Sequence, residues 1–96
     1  EMTALIVDSA ERLVELLGDD GDPDGAIAAA EIGLRLVPAH QGLWRDVIRQ
    51  RHVRDGSAGV AAAVTALRQA LGSEPLEAPT EELIAELAPD QHLDLA

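Results

Sequence analysis

The chain contains no cysteine, no lysine, no phenylalanine and no tyrosine, and Trp44 is its sole aromatic residue. Without cysteine there is no disulfide framework, no thiolate zinc site and no cysteine nucleophile. Without aromatics the core must be aliphatic. A β-sandwich of this size leans on aromatic and β-branched residues with frequent turns, so the composition excludes that class. No apolar run approaches ~18 residues, so no membrane span is expected, and no signal-peptide pattern opens the chain. A cytoplasmic location without membrane contact is therefore expected. Basic residues are scarce as well: seven arginines face eighteen acids, a net charge of −11. That field opposes phosphate, and no direct nucleic-acid binding is expected.

The material that remains is 96 residues, 47% of them hydrophobic and mostly Ala, Leu, Val and Ile. This length supports one domain. The charge is unevenly spread. Residues 1–25 hold eight acids and one arginine, and residues 73–96 hold seven acids and none. Between them, residues 40–56 carry Arg45, Arg49, Arg51 and Arg54 against only Asp46 and Asp55. The ends are acidic and one segment between them is basic.

Helical periodicity runs throughout. Leu5, Ile6, Ala10, Leu13, Leu16 and Leu17 recur at helical spacing before Gly18. Asp22-Pro23 is a helix start, with Asp as cap and Pro at the first helical position. The Ala-rich run that follows is a strong helix former, and Pro38 ends it. A third helix carries Leu43, Trp44, Val47 and Ile48 to Gly56. Ser57 is expected to cap a fourth, with Val60, Ala63, Val64, Leu67 and Leu71 on one face. Thr80 is expected to cap a short fifth through Leu83, Ile84 and Leu87. The expected bounds are 3–17, 23–37, 41–55, 57–71 and 80–88. The helical domain then spans 1–88, and 89–96 is expected to be a flexible tail. The expected core holds Leu13, Leu17, Ile27, Leu34, Trp44, Val47, Val60, Leu67 and Leu71.

Short connections force neighbouring helices antiparallel. A shift of 33 residues lays Ile27-Ala28-Ala29-Ala30 over Val60-Ala61-Ala62-Ala63, and Leu34-Arg35 over Leu67-Arg68. Helix–turn–helix units at that period are the signature of tetratricopeptide-type stacks. The expected architecture is all-α: a tetratricopeptide-like stack of two antiparallel helical hairpins plus a short C-terminal capping helix.

One segment fits a metal motif. Asp20-Gly21-Asp22-Pro23-Asp24-Gly25, followed by Ile27 and Glu31, has the order of a calcium loop, with Asp20, Asp22, Asp24 and Glu31 as ligands. Ala28 stands where another ligand is usual, and a helix beginning at Pro23 would carry Glu31 two turns away. The capped helix start is preferred, and no metal or other cofactor is expected. Calcium binding through loop 20–31 is the alternative function. His40, His52 and His92 lack ligand spacing. Ser9, Ser57 and Ser73 lack a nucleophile elbow. No catalytic residues and no enzyme activity are expected. On the third helix, Arg45, Arg49 and His52 fall on one side, away from Leu43, Trp44, Val47 and Ile48. They form a candidate partner-binding stripe suited to a carboxylate-bearing partner, including the acidic end of a second copy. Arg51 and Arg54 fall nearer the apolar side, where their stems can cover it while the guanidiniums reach a carboxylate.

The residues Gly21-Asp22-Pro23, Ala26 to Ala30, Gly33-Leu34, Val37-Pro38, Leu43-Trp44-Arg45, Asp55-Gly56, Gly59-Val60, Leu67 and Leu71-Gly72 carry a resemblance. Over about residues 4–88 the chain resembles the bacterial transcriptional activator domain, a tetratricopeptide-like helical domain. That domain follows the winged helix in actinobacterial antibiotic-regulatory activators and recurs in larger multidomain proteins. The chain departs from the pattern at Val64, where the family often has Tyr, and Gly72-Ser73-Glu74-Pro75 is more like the copies outside the regulators. The resemblance implies a non-catalytic interaction module used for dimerisation and for contacts with the transcription machinery.

Overall fold

A computed structural model describes residues 2–88, which form five helices and no strand. The expected tail 89–96 lies outside the described residues. The helices are α1 (Met2–Asp19), α2 (Pro23–Leu36), α3 (Gln41–Asp55), α4 (Ser57–Leu71) and α5 (Ala78–Leu87). The first four pack consecutively, each against the next, and α5 lies across α3 and α4. This is the expected stack of helical hairpins with a closing helix.

The helix starts follow local chemistry. Asp22 Oδ1 accepts the Gly25 backbone N–H at 3.0 Å, and Pro23 occupies the first turn, where its missing N–H costs nothing. His40, not foreseen as a cap, starts α3: its Nδ1 accepts the Leu43 N–H at 3.2 Å. Two expected caps are corrected. Ser57 is the first residue inside α4, not its cap, because Gly56 already occupies the capping position at φ +71°. Only glycine adopts that backbone easily, so Gly56 ends α3 and starts α4 at once. Thr80 likewise lies inside α5, which begins at Ala78 after Glu77, and it is buried.

The core runs through the stack from Val7, Ala10 and Val14 on α1 to Leu83 and Ile84 on α5. Ile27, Ala30 and Leu34 are buried on α2, as are Val60, Ala63 and Leu67 on α4, so the 33-residue repeat aligns matching core positions. Close approach is set by glycine. A Cβ on Gly33 would come within 2.6 Å of Leu43 Cδ1 and 3.1 Å of Ala10 Cβ. The α2 surface at that level touches α1 on one side and α3 on the other.

That close approach overturns one expected core residue. Leu13 is exposed, and α1 instead buries Val7, Ala10 and Val14, with Leu17 half-buried. The small side chains let α1 settle onto the Ala- and Gly-rich surface of α2, whereas a leucine there would hold the helices apart. Trp44 is half-buried rather than central; its ring packs on the edge of the core and its Nε1–H donates to the Pro38 carbonyl at 2.7 Å.

Candidate interaction surfaces

The basic helix α3 is largely committed to partners within the chain. Arg45 does not stand out as a stripe residue. Its Nη1 donates to Glu77 Oε1 at 3.0 Å and to Thr80 Oγ1 at 2.9 Å. The side chain is 20% exposed. Beside it, Gln41 donates to the Pro75 carbonyl at 3.1 Å and accepts the Glu77 N–H at 2.7 Å. Together these bonds pin the 72–77 connection and the start of α5 to α3. The sequence pattern placed Arg45 away from the α3 apolar face, but α5 arrives on that side and claims it.

Arg49 remains exposed and reaches Asp46 Oδ1 at 3.3 Å, while His52 is exposed. The expected stripe of Arg45, Arg49 and His52 is thereby reduced to Arg49 and His52 at the surface. Arg51 and Arg54 turn toward α2, as their position near the apolar side suggested. Arg51 lies 3.9 Å from Glu31, and Arg54 bonds Asp24 at 2.6 Å and Asp55 at 2.9 Å. The bonds to Asp24 and Asp55 hold the Arg54 guanidinium protonated still more firmly than usual.

These pairings also place the calcium-loop residues. Asp22 caps α2, Asp24 bonds Arg54, and Glu31 sits two turns inside α2 facing Arg51. Asp20 lies in the turn before them, at a backbone bond to Leu16. The structure does not bring the four together. Among the described residues no group of three or more His, Asp or Glu side chains is placed to hold a metal ion.

An acidic cleft of about 530 Å³ separates α1 from α3, with Glu11, Glu15 and Asp19 on one wall and Asp46 and Arg49 on the other. Burial pushes the Asp46 carboxyl up from 3.8 to about 6. Arg49 and Arg45 pull it down and Glu11 and Glu15 push it further up, but desolvation outweighs them all.

An exposed apolar set on the α1–α2 hairpin was not anticipated. Leu5 (65% exposed), Leu13 (45%) and Leu16 (63%) stand in water on α1, and Ile32 (53%) and Leu36 (51%) on α2. Ile6 is at the edge of exposure beside them. At about 100° per residue, Leu5, Ile6, Leu13 and Leu16 fall within one third of the α1 circumference, on the side away from α3. Ile32 and Leu36 fall on the α1-facing, outer flank of α2, turned away from Leu34 and Trp44. The two sets form one apolar face on the outside of the α1–α2 hairpin. Its sequence signal was present as a second run of period 3.5, Ile6-Ser9-Leu13-Leu16, one residue out of step with the buried Val7-Ala10-Val14-Leu17.

No protein-family model, curated protein or solved structure matches the chain. No described helix is long and apolar enough to cross a membrane.

Proposed function

We propose that this chain is a non-catalytic protein-interaction module of the bacterial transcriptional activator domain type. In that role it works in the cytoplasm as part of a larger bacterial regulator or multidomain protein. Its partner is a second copy or a component of the transcription machinery, and DNA contact is left to other domains.

The observation that carries this reading is the outer face of the α1–α2 hairpin. Five large aliphatic side chains exposed together at one end of a helical stack are a cost to a solitary protein. In stacked-hairpin proteins such a face is where the next helical element packs. The polar chemistry supports the same reading. The arginines of α3 serve to pair carboxylates and pin α5, and the resemblance carries over no catalytic residue.

A photo-crosslinking amino acid placed at Leu16, in the protein expressed in its source cells, tests the proposal. Discrete protein adducts are expected, and their loss when Leu13 is also changed to Glu. Irradiation that yields no protein adduct contradicts the reading.

A further inference from the structure

We propose that a second copy of this chain covers the outer face of the α1–α2 hairpin, the two α1 helices running antiparallel about a two-fold axis level with Ala10 and Gly33. The proposal rests on the interaction-module reading and names its partner and contact surface.

Three observations lead to it. The first is the seam. Ile6, Ser9, Leu13 and Leu16 recur at spacings of three, four and three residues, the period by which one helix packs along another. All four are exposed, with Leu5 beside them. The apolar arc of α1 is thus about twice as wide as the part the monomer buries. Its outer half has the geometry of a helix–helix contact rather than of scattered surface leucines.

The second is the charge register. The only cation on α1 is Arg12, which is exposed and belongs to no ion pair among the described residues. Asp8 lies one turn before it on the same flank of the seam. A two-fold axis perpendicular to antiparallel helices brings each flank against the same flank of the other copy. Centred at Ala10, it sets Arg12 of each copy opposite Asp8 of the other. Leu5 then falls beside Leu16 of the other copy.

The third is agreement between the two helices of the hairpin. The Gly33–Ala10 approach fixes α1 and α2 at one level. The axis that pairs Arg12 with Asp8 therefore crosses α2 at Gly33. There Ile32 and Leu36 of the two copies extend the apolar strip, while Glu31 stays with Arg51 of its own α3. One operation thus matches the charge pair of α1 and continues the apolar strip onto α2. The product is a four-helix arrangement with α1 against α1 and α2 against α2, and the α5 ends lie at its two extremities.

The stripe on α3 predicts a different dimer, in which arginines meet the acidic end of another copy, and salt separates the two. Two chains of −11 repel at long range, and the exposed Arg12–Asp8 pairs at the rim contribute little, so the apolar seam tightens as salt screens that repulsion, whereas a contact made by arginines and carboxylates alone loosens.

Sedimentation velocity over a dilution series, at low and high salt, tests the proposal. The wild-type chain is expected to form dimers that strengthen with salt. Leu13→Glu with Leu16→Glu should weaken the dimer about tenfold or more while the helical circular dichroism is kept. Leu5→Glu provides the same reading should that double variant not fold. Arg12→Asp should weaken the dimer, and Asp8→Arg added to it should restore association. A monomer at every concentration overturns the proposal, and so does a dimer indifferent to the leucine changes or loosened by salt. No recovery in the charge-swapped variant overturns the antiparallel register. A monomer that still gives discrete heterologous adducts from Leu16 defeats this inference alone. A monomer giving none defeats the interaction-module reading with it.

Discussion

The two ends of the stack are finished differently. At the α5 end, Thr80, Leu83 and Ile84 are buried, and Gln41 and Arg45 bond the incoming segment at four points. At the α1 end, Leu5, Leu13, Leu16, Ile32 and Leu36 meet water. Both ends are built from the same aliphatic alphabet, with leucine and isoleucine on α1 and α5 alike. What differs is whether the described residues supply the next layer. A helix in a stack can carry two apolar stripes, and the stripe whose side chains fit the packing distance folds the domain. The Gly33 level admits Ala10, and so the smaller stripe of α1 turns inward.

Substitutions can break or sharpen that contrast. The largest effect is expected in the shared middle of the stack, where Leu67 is fully buried. Leu67→Ala should cost about 2–5 kcal/mol in denaturant melts, through lost burial and the cavity left behind. The α5 end should respond next. Arg45→Ala removes the bonds to Glu77 and Thr80 and leaves the buried Thr80 hydroxyl without this donor. A loss of about 1–2 kcal/mol is expected, with hydrogen exchange accelerating in α5 before α1 or α2.

The cleft between α1 and α3 gives a smaller effect with a definite sign. Folding holds the Asp46 proton to about pH 6, whereas the unfolded chain releases it near 3.8. The folded state binds more protons between those values, so this group makes stability fall as pH rises through that window and remain lower above it. Asp46→Asn should therefore raise stability at pH 8 by about 1 kcal/mol, after allowance for solvent screening and the lost contact to Arg49, and should flatten that segment of the pH profile. Melts at pH 4 and pH 8 measure both. The smallest effect belongs to the open face. In the dissociated monomer, Leu16→Gln should shift stability by no more than about 0.5 kcal/mol.

Much of this architecture is legible in the sequence. The Asp22-Pro23 start, the bounds of α3 and α4 and the 33-residue repeat follow from capping chemistry and from spacing that survives any packing detail. Positions settled by tertiary contact are not legible in the same way. Leu13 outranks Ala10 as a core candidate on hydrophobicity, and only the closeness of α2 reverses them. Arg45 reads as exposed until α5, whose path is set by the proline-containing connection at 72–77, lands beside it. Thr80 reads as a cap because its chemistry suits one, yet the helix begins two residues earlier and turns the hydroxyl toward Arg45. The outer face was written in the Ile6-Ser9-Leu13-Leu16 spacing, but a pattern of two overlapping stripes does not say which stripe stays outside.

The central claim is that the outer stripe of α1 is for association and the inner one for folding. Methyl NMR spectra of the leucine side chains, followed through a dilution series, test it most directly. The account predicts concentration-dependent shifts at Leu5, Leu13 and Leu16, with Leu43 and Leu67 unmoved, and intermolecular contacts between Leu5 and Leu16 in a mixed-label sample. Leucine methyls that ignore concentration throughout, or shifts confined to residues around Arg49 and His52, would contradict it.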